Sequence, residues 1–167
     1  EPNNLSKTEL AICLVKKNPI EIILQKATEL GVRKIIPIVS ERTEVKELNH
    51  DRAKKISIEA TEQSNQMLPP EILEVTKLKN FLENLNKNTK LLFADVNSRN
   101  NLRSVDLKDF ESLCILIGPE GDFTSSERQS ILSVSKVAPF TMSNNILRTD
   151  TAVISAISLV NFINNLP

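Results

Sequence analysis

The chain of 167 residues lacks tryptophan and tyrosine and has only six phenylalanines, three glycines and one histidine. Because base-stacking sites for single-stranded nucleic acid are built from aromatic side chains, the sequence excludes such a platform as its main binding device. The two cysteines have no CxxC spacing and lie inside apolar runs, so we expect reduced core residues and no metal site. No stretch approaches the roughly 20 apolar residues that span a bilayer, and no secretory signal opens the chain. We therefore expect a cytoplasmic protein with no membrane partner.

The charges of the chain balance, with 21 Lys and Arg residues against 21 Asp and Glu residues. General nucleic-acid binders normally show a basic excess, so contact with RNA would need a local basic surface or another domain. The residues that would form one basic flank are Lys16, Lys17, Arg33, Lys34, Arg42, Lys46, Arg52, Lys54 and Lys55. A solvated surface is the alternative interpretation of the same residues.

Short apolar runs alternate with amphipathic segments along the whole chain. The runs predict strands over 11–15, 34–40, 72–75, 90–95, 112–118 and 137–141, and helical spacing predicts helices over 20–30, 51–65, 78–86, 124–136 and from 149 onward. This order is typical of an α/β fold with a mainly parallel sheet flanked by helices. Pro37 indicates an irregular or edge position in its strand.

Local signals mark the ends of several helices. Gly31 suits a left-handed helix end, and Asn49 or Asp51 can cap the second helix. Thr124 and Glu127 have the spacing of a capping box, so a helix should start there and run to about Lys136. The last helix should bury the positions Ala152, Val153, Ala156, Ile157, Val160 and Ile163.

Three segments with unusual residues follow predicted strands or precede the last helix: 93–95, 117–121 and 144–149. Ligands in open parallel sheets bind beyond the carboxyl ends of the strands, which is where these segments should meet. The segment 117–121 holds two of the three glycines, and it is either a tight turn or a shaped ligand loop. It has no phosphate-loop motif, and Glu120 would repel a pyrophosphate, so a cationic ligand or a neutral ribose and adenine fits better.

The segment before the last helix also has two interpretations. In the first, Thr149 caps the helix, Asp150 interacts favourably with the positive end of the helix dipole, and Arg148 is exposed to solvent. Alternatively, the same turn is a cofactor wall, and Arg148 faces an anionic group of a substrate.

Four stretches, LIGPEGDFTSSE (116–127), ILRTDTAVISAISLVNF (146–162), IILQKATELGVRKIIPIVSERT (22–43) and IEATEQS (58–64), resemble the RsmE family of 16S ribosomal RNA uridine-N3 methyltransferases. The resemblance implies a SPOUT fold with a deep C-terminal trefoil knot, S-adenosylmethionine (SAM) as cofactor and a homodimer. It also implies that residues 1–10 are a linker from a missing N-terminal PUA-like domain, and that residues 11–167 form the catalytic domain. The implied partner is 16S rRNA in the small ribosomal subunit.

The resemblance also assigns site residues. Cofactor-binding positions would be Leu92, Phe93, Ala94, Ile117, Gly118, Pro119, Glu120, Gly121, Asn145, Ile146, Leu147, Thr149, Thr151 and Ala152. Arg42 and Arg148 are the candidates for holding an RNA phosphate or the developing uracil oxyanion. Arg42, Glu62, Gln63 and Ser64 are the candidate substrate-binding residues, although surface charge or packing would also explain them.

The chain departs from the family pattern near both signature stretches. Asp122 stands where a second glycine is usual, Ser143 to Asn145 replace a run that usually has glycine and arginine, and Asp150 replaces glutamate. These changes keep two alternatives open: a non-catalytic RNA- or ribosome-binding module of the same fold, and a SPOUT methyltransferase with another RNA target. We expect Gly118→Val to block SAM by crowding its approach to the backbone.

Overall fold

The computed structural model describes residues 6–66, 68–142 and 147–166. Its strands are β1 (Thr8–Cys13), β2 (Lys34–Val39), β3 (Glu71–Ile72), β4 (Thr76–Lys77), β5 (Thr89–Ala94), β6 (Ser112–Ile117) and β7 (Ala138–Phe140). Its helices are α1 (Lys17–Glu29), α2 (His50–Gln63), α3 (Leu78–Glu83), α4 (Ser125–Leu132) and α5 (Thr149–Asn164), with a short 3-10 helix at Ser104–Asp106. The alternation of strands and helices is confirmed.

The strands form one sheet in the order β3-β2-β1-β6-β5-β7, and β4 pairs with β2 beyond β3. Each pairing between these strands is parallel. The predicted mainly parallel sheet flanked by helices is therefore confirmed. Every strand ends at the same edge, which we call the carboxyl edge; the opposite one is the amino edge.

The central strands are continuous apolar runs because both faces of the sheet are covered. In β1, Leu10 and Ile12 join a core with side chains of α1 and α5, such as Val153. Ala11 and Cys13, which point the other way, join a second core. Successive side chains of a strand alternate between faces, so a strand buried on both sides needs apolar residues at every position.

Several predicted helix signals are confirmed in detail. The side chain of Asn49 caps α2 by accepting a hydrogen bond from the backbone N–H of Arg52 at 3.0 Å. Gly31 has a φ of 83°, the left-handed conformation that glycine adopts without steric cost. All six positions predicted for the inner face of α5 are buried. The position before α5 is Arg148, not Thr149, and it makes no side-chain cap.

The predicted start of the first strand is wrong by three residues. Thr8, Glu9 and Leu10, which the pattern places in a linker, belong to β1 and are buried. Polar residues occur there because they are paired: Glu9 Oε2 lies 3.1 Å from Arg33 Nη2 and 3.8 Å from Lys34 Nζ. A charged residue such as Glu9 therefore does not show that a strand has not yet begun, because a buried carboxylate can be stabilised by two cationic partners.

Two other boundaries differ from the sequence prediction. The expected strand over 72–75 is wrong except at Ile72: residues 73–75 join β3 to β4, and these two short strands pair with the start and the end of β2. Pro37 lies in β2 at the gap between them, which agrees with the irregular position expected for proline. Helix α4 ends at Leu132 and not near 136, because the chain turns there and Lys136 has a left-handed φ of 61°.

Both cysteines are free and buried, as expected. Burial raises the pKa of the Cys13 thiol to about 12, and it also raises the pKa of Cys114. Both thiols are therefore protonated and unreactive at neutral pH, since the thiolate is the nucleophilic form. None of the helices in the described ranges combines the length and the apolar character needed to cross a membrane.

Candidate functional site

A cavity of about 660 Å³ opens at the carboxyl edge of the sheet, and we call it the carboxyl-edge cavity. Loops after β5, β6 and β7 meet there with the start of α5 and the first turn of α1. Its lining residues are Pro19, Ala94, Asp95, Val96, Ile117, Gly118, Pro119, Glu120, Gly121, Asp122, Thr141, Met142, Leu147, Arg148, Thr149, Asp150 and Ala152. The volume is within the usual range of about 300–1,000 Å³ for sites that bind small molecules.

The structure brings together most of the predicted cofactor positions that it describes. Those lining the carboxyl-edge cavity are Ala94, Ile117, Gly118, Pro119, Glu120, Gly121, Leu147, Thr149 and Ala152. Leu92 and Phe93 do not line it, because both side chains are buried in the two cores. Thr151 is exposed and also lies off the lining. Asn145 and Ile146 fall outside the described residues, so their expected roles stay predictions.

Gly118 is constrained by the core beneath the turn. A Cβ atom added at Gly118 would lie 2.8 Å from the ring of Phe123, which is buried and packs against Phe93 with ring centroids 5.9 Å apart. Glycine is therefore needed at this position for packing. Gly118→Val should displace the Phe123 ring before it crowds a ligand. At Gly121, an added Cβ would make only ordinary contacts with Arg42, the nearest at 3.6 Å.

Asp122 shows how the chain accommodates the loss of a family glycine. Its φ is 66°, in the left-handed region where aspartate is better tolerated than most residues with a Cβ. Its Oδ1 accepts a hydrogen bond from the backbone N–H of Phe123 at 2.8 Å. The substitution therefore keeps the backbone conformation that glycine would provide, and the turn keeps its shape.

Asp95 lies on the cavity lining, within the predicted segment 93–95, but the sequence assigns no role to its side chain. Its side chain is only 4% exposed, and Arg128 of α4 binds it through two contacts, of 2.5 Å and 3.3 Å. Asn97 donates its backbone N–H to Oδ1 at 3.0 Å, and the Arg128 guanidinium lies 5.9 Å from the centre of the Phe93 ring. The only signal in the sequence was a carboxylate directly after a buried apolar strand.

Arg148 lies on the lining of the carboxyl-edge cavity with 79% of its side chain exposed. Its Nε is 3.5 Å from Oδ1 of Asp150, which lies in the first turn of α5 and is also on the lining. The Asp150 side chain is 18% exposed, but the guanidinium side of the pair is open to water, which screens the contact, so the pair contributes little to stability. Arg148 is therefore at the cavity and can turn toward an anionic group.

Arg42 lies behind the 119–121 turn and does not line the carboxyl-edge cavity. Its Nη1 donates to the carbonyl oxygen of Gly121 at 2.9 Å, and it lines a neighbouring cavity of about 380 Å³ that shares residues 119–121. Beside it, Glu127 accepts hydrogen bonds from the backbone N–H groups of Glu41 and Thr124, both at 3.0 Å. These contacts join the loop after β2 to the loop after β6, so Arg42 supports the shape of the turn.

The structure does not bring Glu62, Gln63 and Ser64 to the cavity. Helix α2 begins beside the first turns of α1 and ends beside its last turn, where Gln66 Nε2 donates to the Glu29 carbonyl oxygen at 3.1 Å. A helix that follows a parallel strand runs back along the sheet, so its last residues lie at the amino edge. Within one chain, these candidate substrate residues are at the opposite end of the molecule from Arg148.

The expected basic flank is also divided. Arg33 and Lys34 lie at the amino edge, where they pair with Glu9, whereas Arg42 lies at the carboxyl edge. At least Arg33 and Lys34 therefore do not share a surface with Arg42. In the described ranges, no group of three or more His, Cys, Asp or Glu side chains is placed to hold a metal ion.

The lining of the carboxyl-edge cavity combines apolar side chains with several carboxylates. Ile117, Leu147 and Ala152 supply apolar surface. Four carboxylates line the described part of the wall, against the single guanidinium of Arg148; they belong to Asp95, Glu120, Asp122 and Asp150. This arrangement favours a ligand with an apolar body and a positive charge, and it disfavours a polyphosphate.

The chain is similar to known RNA methyltransferases, in agreement with the kind of ligand that the cavity favours. Residues 1–161 match the model of a family described as an RNA methyltransferase domain. A Ribosomal RNA small subunit methyltransferase E from Rickettsia conorii is 31% identical over 163 residues, which cover 96% of this chain and 66% of that relative. The chain thus spans about two thirds of the length of that relative.

Solved structures give the same result. A Ribosomal RNA small subunit methyltransferase E from Neisseria gonorrhoeae, bound to S-adenosyl methionine, superposes with a TM-score of 0.85 and 28% identity, over 93% of this chain and 65% of that one. A TrmH/SpoU tRNA modifying enzyme from A. aeolicus superposes with a TM-score of 0.54 and 14% identity, over 93% of this chain and 76% of that one. This second likeness concerns the fold alone and agrees with the expected SPOUT class. The chain belongs to the RNA methyltransferase domain family, and within it to the RsmE family.

Proposed function

We propose that the chain is the catalytic domain of a SAM-dependent RNA methyltransferase that methylates N3 of a uridine in 16S rRNA of the small ribosomal subunit. One observation carries the proposal. The loops after β5 and β6 and the start of α5 enclose one cavity, in a chain that superposes at a TM-score of 0.85 on a relative bound to S-adenosyl methionine.

The residues of the carboxyl-edge cavity fit SAM by their chemistry. Apolar surface from Leu147 and Ala152 suits the adenine and the methionine chain, and backbone groups of 117–121 are within the lining. The molecule has a sulfonium, an ammonium and a carboxylate, so it is cationic overall, and the acidic wall suits that charge. SAM, when bound, supplies a methyl group that the sulfonium has already activated.

The chain itself has to orient the uridine and assist the loss of its N3 proton. N3 is protonated at neutral pH, so transfer needs either proton removal or stabilisation of the anion as it forms. Arg148 is the described cation on the cavity lining, and its exposure allows the guanidinium to face a uracil oxygen or a phosphate. Arg42 supports the turn from behind, and we assign it a positioning role through Gly121.

The assembly expected from the resemblance is part of the same proposal. We propose a homodimer, in which Glu62, Gln63 and Ser64 of one chain reach RNA away from that chain's own cavity. The trefoil knot, the linker role of residues before β1 and an additional N-terminal RNA-binding domain also remain predictions. A cytoplasmic location follows from the ribosomal substrate.

The alternative of a non-catalytic RNA- or ribosome-binding module depended on the lost glycines. Asp122 keeps the left-handed backbone of the turn, so one of these losses does not support a closed cavity. A methyltransferase with another RNA target is the second alternative. It would differ from the proposed enzyme in the nucleotide that receives the methyl group.

Methylation of ribosomal subunits tests the proposal. The chain is incubated with radiolabelled SAM and small or large subunits from a strain that lacks the endogenous methylation, and the product nucleoside is identified by mass spectrometry. We expect label in 16S rRNA as N3-methyluridine. Label at another nucleotide or in other RNA would support the second alternative. SAM binding without transfer, or no binding by folded protein, would contradict the proposed activity.

A further inference from the structure

Asp95 is the most enclosed charged group on the lining of the carboxyl-edge cavity. Its side chain is 4% exposed, and it lies directly after β5. The other carboxylates of the lining, on Glu120, Asp122 and Asp150, lie nearer to solvent. Because the interaction of two charges grows as water is excluded, a carboxylate at the enclosed end influences a ligand more than one at the rim.

The contacts of Asp95 fix its direction. Arg128 binds both carboxylate oxygens from the α4 side, and Asn97 donates its backbone N–H to Oδ1. Arg128 is itself held against the face of Phe93 and does not line the cavity. Asp95 lies on the cavity lining and Arg128 does not. We therefore expect a ligand in the cavity to lie nearer to the negative charge than to the positive one.

The reaction changes the charge of the cofactor. Transfer moves the methyl group from sulfur to the uridine nitrogen, the electron pair of the carbon–sulfur bond stays on sulfur, and the N3 proton leaves to solvent. The sulfonium therefore becomes a neutral thioether, and the net charge falls from about +1 in SAM to zero in S-adenosylhomocysteine (SAH). A negative wall distinguishes these two molecules, although their shapes differ by one methyl group.

We propose that Asp95, oriented by Arg128, determines the specificity of the cavity for the cationic cofactor over its neutral product. The inference rests on the proposed function of the cavity. It assigns Asp95 a part in cofactor discrimination and in product release, with no part in proton transfer. After methyl transfer, the loss of positive charge beside Asp95 weakens the binding of SAH and helps it leave.

Calorimetric titration of the wild-type chain is the first test, because it needs no variant. The ligands are SAM, SAH and sinefungin, an analogue in which an amine-bearing carbon replaces the sulfonium and restores the positive charge. We expect SAM and sinefungin to bind about tenfold more tightly than SAH, the ratio that a difference of about 1.4 kcal/mol gives. Equal affinities, or tighter binding of SAH, would overturn the inference and leave the proposed function standing. No binding of any of the three would instead contradict the proposed function.

A charge-removing variant then assigns the effect to Asp95. Asp95→Asn keeps the shape of the side chain, and we expect the ratio of SAM to SAH affinity to fall to about threefold or less, mainly through weaker SAM binding. The matched control is Asp109→Asn, which removes an exposed carboxylate near the amino edge at a left-handed position that asparagine tolerates. The control should keep the wild-type ratio. A folded Asp95→Asn chain with an unchanged ratio would show that the discrimination does not come from Asp95.

Discussion

On one wall of the carboxyl-edge cavity, the side chains of the Asp95–Arg128 pair are 4% and 26% exposed; on the other, those of the Asp150–Arg148 pair are 18% and 79% exposed. We call residues 94–96 and 117–122 the fixed wall, and residues 147–152 the open wall. The fixed wall is held from behind by Arg128 and by Arg42, which donates to the Gly121 carbonyl. The open wall consists of Leu147, Arg148 and the first turn of α5, a helix that buries only its inner face in the core.

The difference shows how one cavity can serve two demands. A cofactor used in every turnover is bound best by groups that are already in place, because no ordering has to accompany binding. A large RNA substrate needs side chains that can adjust as it docks. Under the proposed function, we therefore expect the same two residue types, aspartate and arginine, to have different roles according to their burial.

The largest effect is expected from removing the adjustable charge of the open wall. Arg148→Ala should lower methylation by about a hundredfold or more, since a lost charge stabiliser costs roughly 3 kcal/mol in the transition state. SAM affinity and unfolding free energy should stay near wild type, because the Arg148 side chain is 79% exposed and its contact with Asp150 is 3.5 Å long. The matched control is Arg103→Ala, which removes a 73% exposed arginine from a similar pair with Asp106. If Arg148→Ala unfolds the chain or abolishes SAM binding, Arg148 belongs to the fixed part of the site.

The next largest effect should come from breaking the fixed wall at Arg128. Arg128→Met leaves the Asp95 carboxylate buried without its partner, and we expect a loss of about 3 kcal/mol in unfolding free energy, reduced toward about 2 by water in the cavity. Denaturant titration measures it. The double variant with Asp95→Asn should recover part of the loss, because no buried charge is then left unpaired. A loss below about 0.5 kcal/mol in the single variant would show that the pair does not hold the wall.

A smaller effect should distinguish the two glycines of the fixed wall. Gly118→Ala places a Cβ 2.8 Å from the Phe123 ring and should cost about 2 kcal/mol of unfolding free energy, as overpacking does. Gly121→Ala has ordinary contacts only and is the matched control, with an expected change within about 0.5 kcal/mol. Equal losses at both positions would contradict the packing explanation.

The smallest effect is expected at Asp122, where the chain departs from the family. Asp122→Gly should change the unfolding free energy by no more than about 0.5 kcal/mol. Glycine removes the steric cost of the left-handed backbone, and this gain offsets the lost hydrogen bond and the larger entropy of the unfolded chain. Asp122→Val should cost more, about 2 kcal/mol, since a branched residue is unsuited to that conformation. Thermal unfolding of the two variants side by side measures the difference. A tolerated valine would mean that the turn relaxes, and that the wall is not fixed there.

Local patterns were sufficient to predict most of the fold. Helical spacing identified every buried position of α5, and the capping box placed the start of α4. The apolar runs predict β5 and β6, and with them two segments that end at the cavity. These features could be predicted because residues close together in the sequence determine them.

The rest depends on contacts between distant parts of the chain. Asp95 and Arg128 are 33 residues apart, and nothing in either segment shows that they pair. Residues 73–75, predicted as a strand, instead join β3 to β4, because these two short strands pair with separate parts of β2. Gln63 and Ser64 were placed at the site by resemblance, but the direction in which α2 runs puts them at the amino edge, as the topology of parallel sheets requires.

A crystal structure of the chain with SAM tests the central claim most directly. The account predicts the sulfonium in the carboxyl-edge cavity, between the backbone of 117–121 and Leu147. It should lie nearer to the Asp95 carboxylate than to the Arg128 guanidinium. Occupied SAM at any other surface, or protein crystals that stay free of it at saturating concentration while the chain is folded, would contradict the account.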